Sequence, residues 1–281
     1  MKREKLLALS NAICFIIAFL VSMLSQRKIF GRNTIGDISK KYDTLFTPAD
    51  ITFSIWGLIY ISLFAFCIYH LIAAFRKDAD EEANVQLRQI GWLFVLNNMA
   101  TTLWVVAWVN EMVILSVLLM IIQLVTLVFI CKQAHIFNKE RSLSSKIFTQ
   151  IPISIYFGWI SVAIAVNVNA AFKAFGWDTI LLSAKNQTII LIGIMALVSI
   201  LVIMVKKNVF YGMVIIWAFY GIILKNRDIA GNEEIITASA AAMALVGLTS
   251  IIELYKLIKP LSEPVPASVH SRNARTTDTT Y

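Results

Sequence analysis

Charge is what this sequence lacks. Asp, Glu, Lys and Arg make up only 15% of its 281 residues, against 58% that are hydrophobic, whereas soluble domains carry about 25% charge. The shortage is sharpest in a series of long apolar runs, several of them 18 or more residues without a charge, which is enough helix to cross a hydrocarbon layer of ~30 Å. An all-α, polytopic membrane helix bundle with about eight transmembrane helices is therefore expected. The gaps between runs are too short to hold a second compact domain.

Other absences exclude function classes. Proton pumps and ion-coupled transporters keep ionisable groups near the midplane; here only Glu253 and Lys256 fall inside a run, both near the end of the last one. That position suits a snorkelling lysine better than a retinal Schiff base. Paired carboxylates, a Ser/His/Asp set and an HExxH motif are all missing, so no enzyme is expected. Cys14, Cys67 and Cys131 form no CxxC pair and no metal spacing, and they read as small buried hydrophobes. Neither a metal nor a cofactor is expected. His70, the one histidine inside a run, reads as interfacial or internally satisfied. The formal net charge of +8 belongs to loops that meet anionic lipid rather than to a nucleic-acid surface.

The apolar runs fall at about 6–24, 51–71, 90–109, 112–130, 148–170, 188–205, 209–224 and 235–257. A signal peptide is the alternative for the first, but the run is long and no A-x-A site follows, which favours an uncleaved span. With the N-terminus inside, cytoplasmic segments collect the larger share of the 25 lysines and arginines. The rule that positive loops stay inside then puts both termini in the cytoplasm, in a plasma (inner) membrane, and the 25–46 loop outside. That loop is long for a helix connection, which marks it as functional. The stretch from residue 260 onward reads as a disordered polar tail.

Aromatic and amide side chains are plentiful where charge is missing. The second run opens with Thr47 as a cap, Pro48 where no N–H is needed, and Asp50 in the first turn. Trp56 and Tyr60 stand four apart on one face of it. On the third run Asn97, Thr101, Trp104 and Trp108 form a stripe; on the fifth, Pro152, Tyr156, Trp159, Ala163 and Asn167 recur at helical steps. Asn167 and Asn169 are amides at membrane depth, where an unpaired amide is costly. Interhelical glue and interfacial aromatic belts account for many of these residues singly. Trp56, Trp104 and Trp159, however, lie several residues inside their runs. Deep indoles beside amides suit a cavity that stacks a flat, largely apolar ligand and hydrogen-bonds its polar edge.

These residues resemble the tryptophan-rich sensory protein or translocator protein family (TspO/MBR, peripheral benzodiazepine receptor-like). The proline-started second helix with W-x-x-x-Y is matched by Pro48, Trp56 and Tyr60. Leu96-Asn97 with Trp104 resembles the start of the family's third helix, and Pro152, Trp159, Ala163 and Asn167 its fifth, W-x-x-x-A-x-x-x-N. The likeness covers roughly residues 6–172, so the chain looks like an enlarged, divergent member. It divides into a five-helix bundle over 1–172, three additional transmembrane helices over 173–259, and the tail from 260. The resemblance implies a pocket beneath the first loop for a tetrapyrrole- or sterol-like molecule, and a sensor or regulator role in the lipid bilayer. Trp56, Tyr60, Asn97, Trp159, Ala163 and Asn167 would line or brace that pocket, with Trp104 and Tyr156 added from the helical faces. Two other readings stay open: a permease for an uncharged solute, and a purely structural role. The last three spans are left with two roles, a homodimer face or an enlargement of the pocket.

Overall fold

The computed structural model describes residues 3–76, 80–138, 140–177 and 182–258, and every regular element among them is helical. The tail from residue 260 lies outside them. Seven helices are long and apolar enough to span a membrane, and two shorter helices bent 54° to each other pass the same test of length and composition together. The protein is thus a multi-pass integral membrane bundle. Large apolar side chains such as Ile61 and Ile251 stand exposed on its flanks, because the surrounding solvent is hydrocarbon rather than water.

Helix α1, Arg3–Ser25, leads into the long first loop. That loop contains a short helix, α2, Ile35–Lys41, begun by a capping box in which Thr34 and Asp37 satisfy each other's backbone N–H groups. The second span enters differently from the expectation at Thr47. It begins with a tight helical turn, Asp50–Ser54, that has no side-chain cap, and continues as α3, Ile55–Phe75. The Thr47 hydroxyl accepts instead from the Thr44 N–H, closing the turn that precedes Pro48.

Residues 76–89, expected to be only a connection, hold an amphipathic helix, α4, Glu81–Ile90, capped by Asp80. Its Leu87 packs with Leu7, Ala8 and Ala74 of the first two spans. At Gly91 the backbone turns to φ +56°, a conformation glycine adopts without penalty. There the chain bends into α5, Leu93–Val109. After a tight turn at Asn110 and Glu111 comes α6, Val113–Gln133. The fifth span, α7, Leu143–Ala174, carries one widened turn over Lys146–Gln150, closed by a bond from the Ile151 N–H to the Lys146 carbonyl. Pro152, which cannot donate, follows directly.

The last three spans are α8, Ala184–Lys206, α9, Val209–Asn226, and α10, Glu233–Ile258. Helix α9 packs on α7, while α10 closes over α8 and α9. One buried apolar cluster runs from Phe15 and Phe66 through Trp159 to Tyr211, Phe219 and Val246, so these spans share a core with the first five. All three cysteines are free; Cys67 is buried, and Cys14 and Cys131 are half-buried.

Candidate functional site

A cavity lies under α2, between the ends of α1, α3, α5 and α7. Its main chamber, about 380 Å³, reaches Ser22 of α1 and Gln26 just beyond it, Trp56 and Tyr60 of α3, and Thr101 and Trp104 of α5. A side chamber of about 50 Å³ adds Trp108, Trp159, Ala163 and Asn167. Both are bounded by Ile35, Ser39, Phe53, Trp56 and Trp104, so the two chambers lie side by side as one site. Lys40 and Asp50 stand at the polar rim, 3.3 Å apart and mostly exposed.

The walls are aromatic. Trp56 stacks on Tyr60 with centroids 5.6 Å apart and meets Trp159 edge-on at 6.3 Å; Phe53 meets Trp159 edge-on at 5.7 Å. Trp104 and Trp108 stack at 6.2 Å. These quadrupole-favoured geometries fix rings that would otherwise rotate into the space. The Tyr60 hydroxyl donates to Ser22 at 2.7 Å and ties α3 to α1. Trp104 and Trp159 are 6% and 1% exposed, and neither indole N–H has a partner among the described residues.

Six of the eight residues expected from sequence line this space: Trp56, Tyr60, Trp104, Trp159, Ala163 and Asn167. The other two lie behind the wall. Asn97 donates to the Gln123 carbonyl at 3.0 Å and the Thr126 hydroxyl at 2.8 Å. The Tyr156 hydroxyl meets Thr101 at 2.9 Å and the Gln123 side-chain oxygen at 3.4 Å. They join α5, α6 and α7 and support the wall without reaching the space. Asn167 does both, since its oxygen accepts from Ser116 of α6 at 3.0 Å.

Sequence reasoning missed the roof (Ile35, Ser39, Phe53) and the polar residues Ser22, Gln26 and Gln123. The roof had a readable signal in Thr34-x-x-Asp37, a helix-start pair. Gln123 had a weaker one, a single amide in an apolar run.

The roof is fastened at two places. Its first half sits on the turn between α5 and α6, where Glu111 receives hydrogen bonds from Lys41, from the Tyr42 hydroxyl at 2.8 Å and from Asn33 at 3.4 Å. Trp108 adds a bond from its indole to the Ile35 carbonyl at 3.2 Å. The second half sits on α9. Lys225 pairs with Asp43 at 2.5 Å, Asn226 donates to the Leu45 carbonyl, Ala49 donates to the Gly221 carbonyl, and Trp217 donates to the Thr52 carbonyl.

The hydrogen bond from Lys41, with that from Tyr42, holds the Glu111 carboxyl below the usual carboxylate range. A depressed folded-state pKa contributes stability above the ordinary glutamate value, ~4.3, that is lost as pH falls through the folded value. Amide exchange over residues 33–42, corrected for its intrinsic pH dependence, is therefore expected to stay constant from pH 7 to 5 and to rise below about pH 4. Glu111→Gln should show the faster exchange already at pH 7. The effect is modest because Lys41 is half exposed. An unchanged exchange profile in that variant would remove Glu111 as a fastening.

A helical bundle that spans the membrane many times, with an aromatic cavity under its first loop, is a polytopic membrane protein. The chain belongs to the TSPO-like protein family, whose family model matches residues 8–252 and so runs through the three C-terminal spans as well. Comparison with curated proteins and with solved structures returned no match.

Proposed function

We propose that the protein is a ligand-binding sensor or regulator whose cavity holds a flat hydrophobic molecule, tetrapyrrole- or sterol-like, carrying hydrogen-bond acceptors. The observation that supports this reading is the pair of buried, unpartnered indole N–H groups on Trp104 and Trp159 in the cavity wall. A buried donor without a partner costs about 1–3 kcal/mol, a cost that a ligand oxygen or nitrogen would relieve. The volume, near 380 Å³ for the main chamber, lies in the lower part of the range for small-molecule sites. The ligand's polar edge would face the rim at Lys40 and Asp50, and its apolar body the stacked rings. Both termini are cytoplasmic in this reading, which puts the rim on the outer face.

The test is thermal unfolding of the full-length protein in lipid nanodiscs with protoporphyrin IX and, separately, cholesterol. Saturable stabilisation by one of them is expected, following RT ln(1 + [L]/Kd). Stabilisation by neither would overturn the proposal for these two classes. Accumulation of the compound inside proteoliposomes would identify a permease instead.

A further inference from the structure

Asn169, an amide at membrane depth, takes no part in the cavity described above. It is 4% exposed and, among the described residues, its side chain makes no hydrogen bond. It stands where two other spaces meet. One is an apolar crevice of about 470 Å³ between α6, α7 and α8; the other is a polar hollow of about 270 Å³ at the first-loop face. Gln187 borders both.

The crevice exists because α8 packs chiefly on α9 and α10 and leaves a gap beside α7. Ala165 and Val168 line one side, with Leu191 and Met195 opposite. It runs on α8 from Gln187 to Val202, about 22 Å of helix rise, deeper than one leaflet of a ~30 Å hydrocarbon layer. Its lining includes Val128 and Val198, both more than 40% exposed on the flank of the bundle, so it opens sideways to lipid. An apolar gap of this kind repels water.

The hollow above it carries Lys173 and Lys225. Lys173 lies one helical turn beyond Asn169. Asp43 is the one carboxylate among its described lining residues; its side chain pairs with Lys225 and its carbonyl accepts from Lys173. Two ammonium groups against one carboxylate leave the hollow net positive.

We propose that this paired space binds a membrane phospholipid with an anionic headgroup. One acyl chain fills the crevice beside α7. The phosphate sits in the hollow against Lys173 and Lys225, and Asn169 donates to an ester or phosphate oxygen at the junction. The site is separate from the aromatic cavity and does not depend on its ligand. It places lipid against Asp43, one of the residues through which α9 holds the roof.

The full-length protein, delipidated in detergent, tests this with two lipids of identical dioleoyl chains. Phosphatidylglycerol should raise the unfolding temperature at a concentration about fivefold lower than phosphatidylcholine, the preference expected for one uncompensated lysine at a membrane surface. Lys173→Gln should remove the preference and keep the response to both lipids. Ala165→Phe, which fills the crevice, should weaken the response to both. Equal potency of the two lipids on the wild type overturns the headgroup assignment, as does a preference that survives in both Lys173→Gln and Lys225→Gln. An undiminished response in a folded Ala165→Phe overturns the acyl-chain assignment.

Discussion

Trp159→Ala is expected to abolish saturable binding of a flat probe such as protoporphyrin IX and to lower stability by about 3–5 kcal/mol, the usual cost of emptying a buried large-aromatic site. Trp159 is 1% exposed, its ring is edge-on to both Phe53 and Trp56, and it carries one of the two indole N–H groups that are buried without a partner among the described residues. Loss of stability alone would be ambiguous. Trp159→Phe separates the causes, since it keeps an aromatic face against Phe53 and Trp56 but removes the donor. That variant should stay folded and bind about tenfold more weakly, as befits one lost hydrogen bond in a dry site. Probe titrations followed by porphyrin absorbance, together with thermal unfolding, give both quantities. Equal affinity in wild type and Trp159→Phe would mean that the N–H is not used.

The second large effect is expected from Gly221→Leu. A β-carbon at Gly221 would lie 2.1 Å from the Thr52 hydroxyl oxygen and 2.9 Å from the Pro48 β-carbon. No rearrangement of one side chain relieves both contacts, so residues 48–52 must move off α9. Overpacking of this kind costs about 1–3 kcal/mol. The bonds from Ala49 to the Gly221 carbonyl and from Trp217 to the Thr52 carbonyl should loosen with it. Because Asp50 and Phe53 border the cavity, probe affinity should fall as well. Gly193→Ala is the matched control, with no neighbouring atom within 4 Å of the added carbon, and should be close to neutral. Faster amide exchange over residues 44–54 in Gly221→Leu, absent in the control, is the expected signature. If both variants unfold at the wild-type temperature, α9 does not hold the roof.

How much of this could be read from the chain follows from the range of each interaction. The spans were legible because hydropathy is summed over a continuous window. The 188–205 and 209–224 runs grow by only a few residues into Ala184–Lys206 and Val209–Asn226. The stripes on the third and fifth spans were legible because helical spacing is local. They brought Trp104 and Trp159 to one space, but they could not tell a lining residue from one behind the wall. Asn97 and Tyr156 share faces with lining residues, and only the position of Gln123 on α6 decides that they point to a partner helix. The roof was illegible for a different reason. Asp43 meets Lys225, and Leu45 meets Asn226, across more than 180 residues of sequence, and no local pattern encodes such pairs. Helix α4 was missed because its charged, amphipathic face resembles a solvated connection, although Asp80 signalled its start.

The bend at Gly91 has a consequence for the membrane itself. Helix α5 has 17 residues, a rise of about 25 Å, and falls short of a ~30 Å hydrocarbon slab. Its neighbour α6, with 21 residues, reaches about 32 Å. A bilayer meeting the two side by side must pinch inward next to α5 or let α4 sink into its surface, at a fraction of a kcal/mol per ångström of mismatch. The α5 flank of the protein thus carries a thickness preference, and thinner membranes should suit that flank best.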